Sequence, residues 1–141
     1  MQVKIENQKL GQAINLLFNL SLKGKQSRHR SKFIKALNEK LNEFAEQEQE
    51  LLKEHCHLDE NGEPKKTEDG TIKVEDIKDI DAFTKDRTEL YEEERVFEGG
   101  DAQVMLKTVK DVLLNCEREW SGQEAVIYDY LCEQFENGAD E

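Results

Sequence analysis

The residue types best suited to chemistry lie together in one stretch, Lys23-Gly24-Lys25-Gln26-Ser27-Arg28-His29-Arg30-Ser31-Lys32. A glycine turn leading into a helix start exposes unpaired backbone N–H groups at the positive end of the helix dipole. Lys23, Lys25, Arg28, Arg30 and Lys32 add mobile cations there, and Ser27 and Ser31 add hydroxyls. Such a set suits a phosphate or a carboxylate. It is not a nucleotide-binding P-loop, because Asn19 stands where that motif needs its first glycine. The alternative reading is a solvated turn whose cations pair with acidic residues of the same chain.

Other constellations carry less. His55-Cys56-His57 holds metal-ligating types, but helical neighbours one and two apart do not share a face. A zinc site needs further ligands, and Cys116 and Cys132 fall on apolar stripes that read as core. Cys56 beside His57, or Cys116 near Glu119, lacks the oriented base and oxyanion donor of a nucleophilic site. Glu89, Glu92, Glu93 and Glu94 could imitate a phosphate backbone, yet such runs are usually solvated helix faces. Asp59-Glu60-Asn61-Gly62-Glu63 lacks the ligand spacing of a calcium loop and reads as a turn. The sequence therefore predicts no catalytic residue, no metal and no cofactor.

The elements that must carry these residues follow from composition and periodicity. The 141 residues carry 20 Lys and Arg against 32 Asp and Glu, a net charge of −12. The imbalance is local. Residues 1–66 hold 12 basic and 10 acidic side chains, whereas residues 67–141 hold 8 and 22. Within the first part, Lys23 to Lys40 contains seven basic residues and the single acid Glu39. An acidic body with one basic segment suggests either an internal electrostatic fit or a bipolar surface. Duplex DNA would be repelled by most of it, so a small anion or an acidic protein suits the basic segment better. No apolar run approaches the roughly 18 residues of a membrane span, so no membrane association is expected. Met1 to Glu6 does not resemble a signal peptide, and three widely spaced cysteines fit a reducing compartment.

Met1 to Glu6 alternates, with Val3 and Ile5 on one face, which predicts a short strand. Asn7 is a candidate cap for a helix ending near Lys23-Gly24. Ser27 is the candidate cap of a long helix reaching His55, with Ile34, Leu37, Leu41, Phe44, Glu48, Leu51 and His55 on a heptad seam that Glu48 interrupts. Asn61-Gly62, Pro64 and Asp69-Gly70 predict a mobile loop or small hairpin near 57–74. A third helix is expected from Glu75 or Asp76, and a second strand at Arg95 to Glu98 pairing with Val3 to Ile5. Asp101 is the candidate cap of a fourth helix whose stripe runs Met105, Val109, Val112, Leu113, Cys116 and Trp120. Ser121-Gly122-Gln123-Glu124 reads as a capping box before a fifth, burying Ala125, Tyr128, Leu131, Cys132 and Phe135. The predicted fold is mainly α: about five helices in a compact bundle with one long helix and a minor β element, a single helical domain over 1–141 whose tail frays at 137–141.

Three features carry a resemblance. They are Leu22-Lys23-Gly24-Lys25-Gln26-Ser27-Arg28 after a first helix, Asp59-Glu60-Asn61-Gly62-Glu63 after a long charged helix, and Leu113-Leu114-Asn115 followed by Ser121-Gly122 and Tyr128-x-x-Leu131-Cys132-Glu133. Together they resemble a family of small uncharacterised proteins from phages and prophages of Gram-positive bacteria. The resemblance implies origin and no catalytic residue. The expectation it supports is a non-enzymatic accessory protein in the host cytoplasm that binds a host or phage protein, with counter-defence as one role. The alternatives are a virion or assembly component that forms a homo-oligomer through the long helix, or a binder of phosphate-bearing small ligands at Lys23, Lys25, Ser27, Arg28, Arg30 and Lys32.

Overall fold

The computed structural model describes residues 1–138. It contains β1 (Gln2–Glu6), α1 (Leu10–Phe18), α2 (Lys25–His55), α3 (Ile80–Glu92), β2 (Glu94–Glu98), α4 (Ala102–Leu114) and α5 (Gly122–Asn137). The mainly α fold, the single long helix and the small sheet are those the sequence predicts. The expected fraying of 137–141 falls largely on residues outside those described.

The chain forms two compact units, Met1–Leu41 with Glu94–Glu141, and Asn42–Glu93. In the first, β1 and β2 pair antiparallel with Val3 opposite Phe97 and Ile5 opposite Arg95. Alternation places Val3 and Ile5 on one face, both fully buried. Against that face lie α1, α4 and α5, supplying Leu10, Leu17, Leu106, Leu113, Leu131 and Phe135. Phe33 of α2 sits edge-on to both Phe97 and Phe135, with ring centroids 5.4 Å and 5.6 Å away. That geometry lets the positive ring edges meet the negative faces. The C-terminal end of α5 is tied back to the strand: the Gln2 N–H donates to the Gly138 carbonyl at 3.1 Å. A Cβ on residue 138 would lie 1.8 Å from the Gln2 carbonyl oxygen, so glycine is needed there for space.

In the second unit the outer half of α2 packs along α3. The seam positions are used inside the chain: Phe44 meets Tyr91 edge-on at 5.2 Å and Leu51 is buried. Glu48, the polar gap in the seam, accepts a hydrogen bond from the Tyr91 hydroxyl. His55 lies 2.8 Å from Asp86 and edge-on to Phe83. The segment after α2 holds isolated pairings of Cys56 with Ile77 and Leu58 with Pro64. The pairing thus surrounds Asn61-Gly62, whereas Asp69-Gly70 closes a tight turn in which Thr67 N–H donates to the Thr71 carbonyl at 2.8 Å.

Several predicted boundaries move, each for a local reason. Asn7 does not cap α1; it is buried, begins a 3-10 turn, and its side-chain oxygen faces Arg95. Helix α1 stops at Phe18, well before Gly24; Asn19 closes it in a turn, and residues 20–23 belong to no helix or strand. Helix α2 starts before Ser27 because Gly24, at φ +59°, turns the chain and offers its carbonyl to the Arg28 N–H at 3.1 Å. Helix α3 starts after Ile77, which pairs with Cys56, and Asp79 caps it by accepting from the N–H groups of Asp81 and Ala82. Asp101 and Ser121 make no side-chain cap bond. Glu124 pairs with Arg118 at 3.2 Å, which removes the predicted capping box. Cys116 and Trp120 lie beyond the end of α4 yet still pack on the core, and Ile127 joins the α5 face the sequence assigned to Ala125 and Tyr128.

Candidate functional site

The basic stretch separates into an inward and an outward part. At helical periodicity Lys25, Arg28, Lys32 and Lys35 fall on one face of α2, opposite Phe33 and Leu37. Burial of Phe33 and Leu37 in the core turns that face to solvent, and Lys23, Lys25, Arg28, Lys32 and Lys35 are all exposed. Among the described residues none of these five makes an ion pair. Arg30 points the other way. Its guanidinium donates to the carbonyl oxygens of Leu17 at 2.8 Å and Leu20 at 2.7 Å. It thereby satisfies main-chain acceptors left at the C-terminal end of α1, where a cation also suits the helix dipole. Ser27 is half-buried, with its hydroxyl 3.5 Å from the same guanidinium. The predicted site residues are thus neighbours, but Arg30 and Ser27 belong to the joint between α1 and α2. Lys35, at the next helical position of the stripe, completes the outward set, and the i, i+3, i+7, i+10 spacing is the signal that identifies it.

A cavity of about 700 Å³ adjoins the turn through Leu22 and Gln26. Leu20 and Val112 supply apolar wall, and Asn19 and Asn115, the residues after α1 and α4, supply polar edges. Arg118 on its rim lies over the Trp120 ring at 4.5 Å.

The second unit holds the opposite charge. A groove of about 600 Å³ between the outer half of α2 and α3 is lined by Glu50, Glu54, Asp86, Glu89, Glu92 and Glu93. Leu51 and Leu90 form its apolar walls, and no Lys or Arg lines it. Glu54, His55 and Asp86 bring one ligand atom each within 4.8 Å of one another. His55-Cys56-His57 does not converge in this way: Cys56 is buried, while the His57 N–H donates to the Asp76 carbonyl at 2.7 Å. Burial, then the nearby Asp76 carboxylate, pushes the Cys56 thiol above its ordinary pKa, and burial does the same to Cys132. Both are therefore held as thiols, the poor nucleophilic form.

The architecture is a mainly α protein with a two-stranded ribbon, a solvent-facing basic stripe on one unit and an acidic groove on the other. The chain belongs to the family described as proteins of unknown function, DUF1617, whose model matches residues 1–140. No curated protein and no solved structure matches it. No helix among the described residues is long and apolar enough to cross a membrane.

Proposed function

We propose that this protein is a non-enzymatic binding protein that docks an acidic protein partner on the basic stripe of α2. The observation that carries this reading is the unpaired state of Lys23, Lys25, Arg28, Lys32 and Lys35. Five exposed cations without carboxylate partners cost self-repulsion, which an acidic surface would relieve. The stripe from Lys25 to Lys35 extends about 15 Å at about 1.5 Å per residue. That length suits an extended acidic face better than a single phosphate. Each exposed pair is worth only about 0.2–1 kcal/mol, so the stripe would chiefly steer and orient a partner. The likeness to phage and prophage proteins extends the proposal: an accessory protein acting on a host factor in the host cytoplasm.

The test is affinity capture from a Gram-positive lysate with the wild-type chain and with a variant carrying Lys25→Gln, Arg28→Gln, Lys32→Gln and Lys35→Gln. A stoichiometric acidic protein retained only by the wild type supports the reading. Capture of the same proteins by both would overturn it.

A further inference from the structure

We infer that the acidic groove between α2 and α3 receives the basic stripe of a second copy of this chain. The inference goes beyond the reading above, because it assigns the groove an occupant and makes the stripe a face for which a foreign partner and another copy compete. Two charge ladders carry it. On α2, Lys25, Arg28 and Lys32 are spaced i, i+3, i+7. On α3 and its last cap, Asp86, Glu89 and Glu93 have the same spacing and the opposite sign. Each ladder is about 10 Å long at about 1.5 Å per residue, so one helix laid along the other can match charge to charge. Glu50 and Glu54 extend the negative wall from the α2 side of the groove, and Leu51 and Leu90 offer apolar surface for the aliphatic stems of lysine and arginine.

Neither ladder is neutralised within the chain. The stripe cations make no ion pair, and among the described residues Glu50, Glu54, Glu89, Glu92 and Glu93 pair with no Lys or Arg. Asp86 alone is engaged, with His55. Two of the cations near in sequence are turned elsewhere: Lys53 pairs with Glu63 at 3.7 Å, and Arg87 lies over the Tyr91 ring at 4.8 Å. A net charge of −12 disfavours unspecific self-contact, so the stripe is the part of a second copy that the groove can accept. Stripe to groove is a head-to-tail contact. Every bound copy leaves one stripe and one groove open, so association continues past the dimer or closes in a ring.

Sedimentation velocity of the purified full chain tests this. At about 0.1 M salt the screening length is about 10 Å, and at about 1 M it is about 3 Å. The mean mass should rise with protein concentration at the lower salt and return to a single chain at the higher. A stripe-reversed variant (Lys25→Glu, Arg28→Glu, Lys32→Glu) and a groove-reversed variant (Glu50→Lys, Glu89→Lys, Glu93→Lys) should each remain single chains. Mixing the two should restore association. All six positions are exposed, and circular dichroism checks that both variants fold. If a reversal unfolds the chain, the milder pair Lys25→Gln with Lys32→Gln should weaken association about two- to thirtyfold, the scale of two lost exposed charge pairs. A wild-type chain that stays single at the lower salt, association indifferent to salt, or a reversed variant that associates like the wild type would overturn the inference. Capture of a foreign acidic partner is read separately, so either result can fail without the other.

Discussion

Arg30 donates a hydrogen bond to the Leu20 carbonyl over 2.7 Å, and by doing so leaves the basic cluster it belongs to in sequence. The same side chain serves Leu17, so one cation closes the end of α1 onto the first turns of α2. Its neighbours Arg28 and Lys32, on the far face of the helix, remain in water.

Arg30→Ala should therefore destabilise the protein by about 2 kcal/mol, since the main-chain acceptors lose a charged donor. Arg28→Ala should change stability by less than about 0.5 kcal/mol, as an exposed position without a partner. Urea denaturation of both variants distinguishes structural from binding cations. Equal losses would refute the division.

Space, not conformation, demands glycine at 138. Gly138→Ala should cost about 1–3 kcal/mol through the clash with the Gln2 carbonyl. It should also raise hydrogen exchange at the Gln2 amide, which donates to residue 138. An unchanged midpoint and unchanged exchange would contradict the close approach.

The residues before α3 and α5, Asp79 and Ser121, should behave unequally. Asp79→Ala removes an acceptor of two helix N–H groups and should cost about 1 kcal/mol. Ser121→Ala removes no cap bond and should cost little. Comparable losses from thermal or chemical melts would mean that the box at Ser121 forms after all.

Alkaline pH should weaken the fold through its tyrosines. Burial, first among the causes, raises the pKa of Tyr91, Tyr128 and Tyr130 above the ordinary value. Neighbouring side chains add to it: the Tyr91 hydroxyl donates to Glu48, and the Cys132 thiol beside Tyr128 acts in the same direction. A raised folded pKa means that the unfolded chain loses these protons first. Stability is complete below the unfolded value of about 10 and falls as pH rises above it. Tyr91→Phe should flatten the decline above about pH 10, while costing about 1 kcal/mol at neutral pH. A pH profile identical to the wild type would contradict the assignment.

Much of this was legible in the sequence because period reports burial. Val3 and Ile5 alternate and are buried, and Arg95 to Glu98 pair with Gln2 to Ile5. The seam of α2 was also legible, but not what fills it. Periodicity shows that Phe44, Glu48 and His55 face something; only the fold shows that α3 supplies Tyr91, Asp86 and Phe83. The polar members of the seam, which looked like interruptions, are its hydrogen-bonding positions. Caps were the weakest reading. Asn7, Asp101 and Ser121 have suitable side chains, but a cap needs a backbone angle and a free acceptor, and Asn7 and Glu124 are drawn to arginines. The basic stretch reads as one site in the sequence because proximity along the chain does not reveal facing. The 3.6-residue period separates Arg30 from Lys25, Arg28, Lys32 and Lys35 once Phe33 is known to be inside.

On the proposed function, the α2 stripe, left without ion-pair partners among the described residues, is the binding face. The most direct measurement is the salt-dependent affinity of the captured acidic partner for the wild type, the four-glutamine stripe variant and the Glu89→Lys, Glu93→Lys groove variant, followed by titration calorimetry. Binding should weaken steeply with salt, fall at least about tenfold in the stripe variant and persist in the groove variant. Equal affinity for wild type and stripe variant, or affinity indifferent to salt, would contradict it.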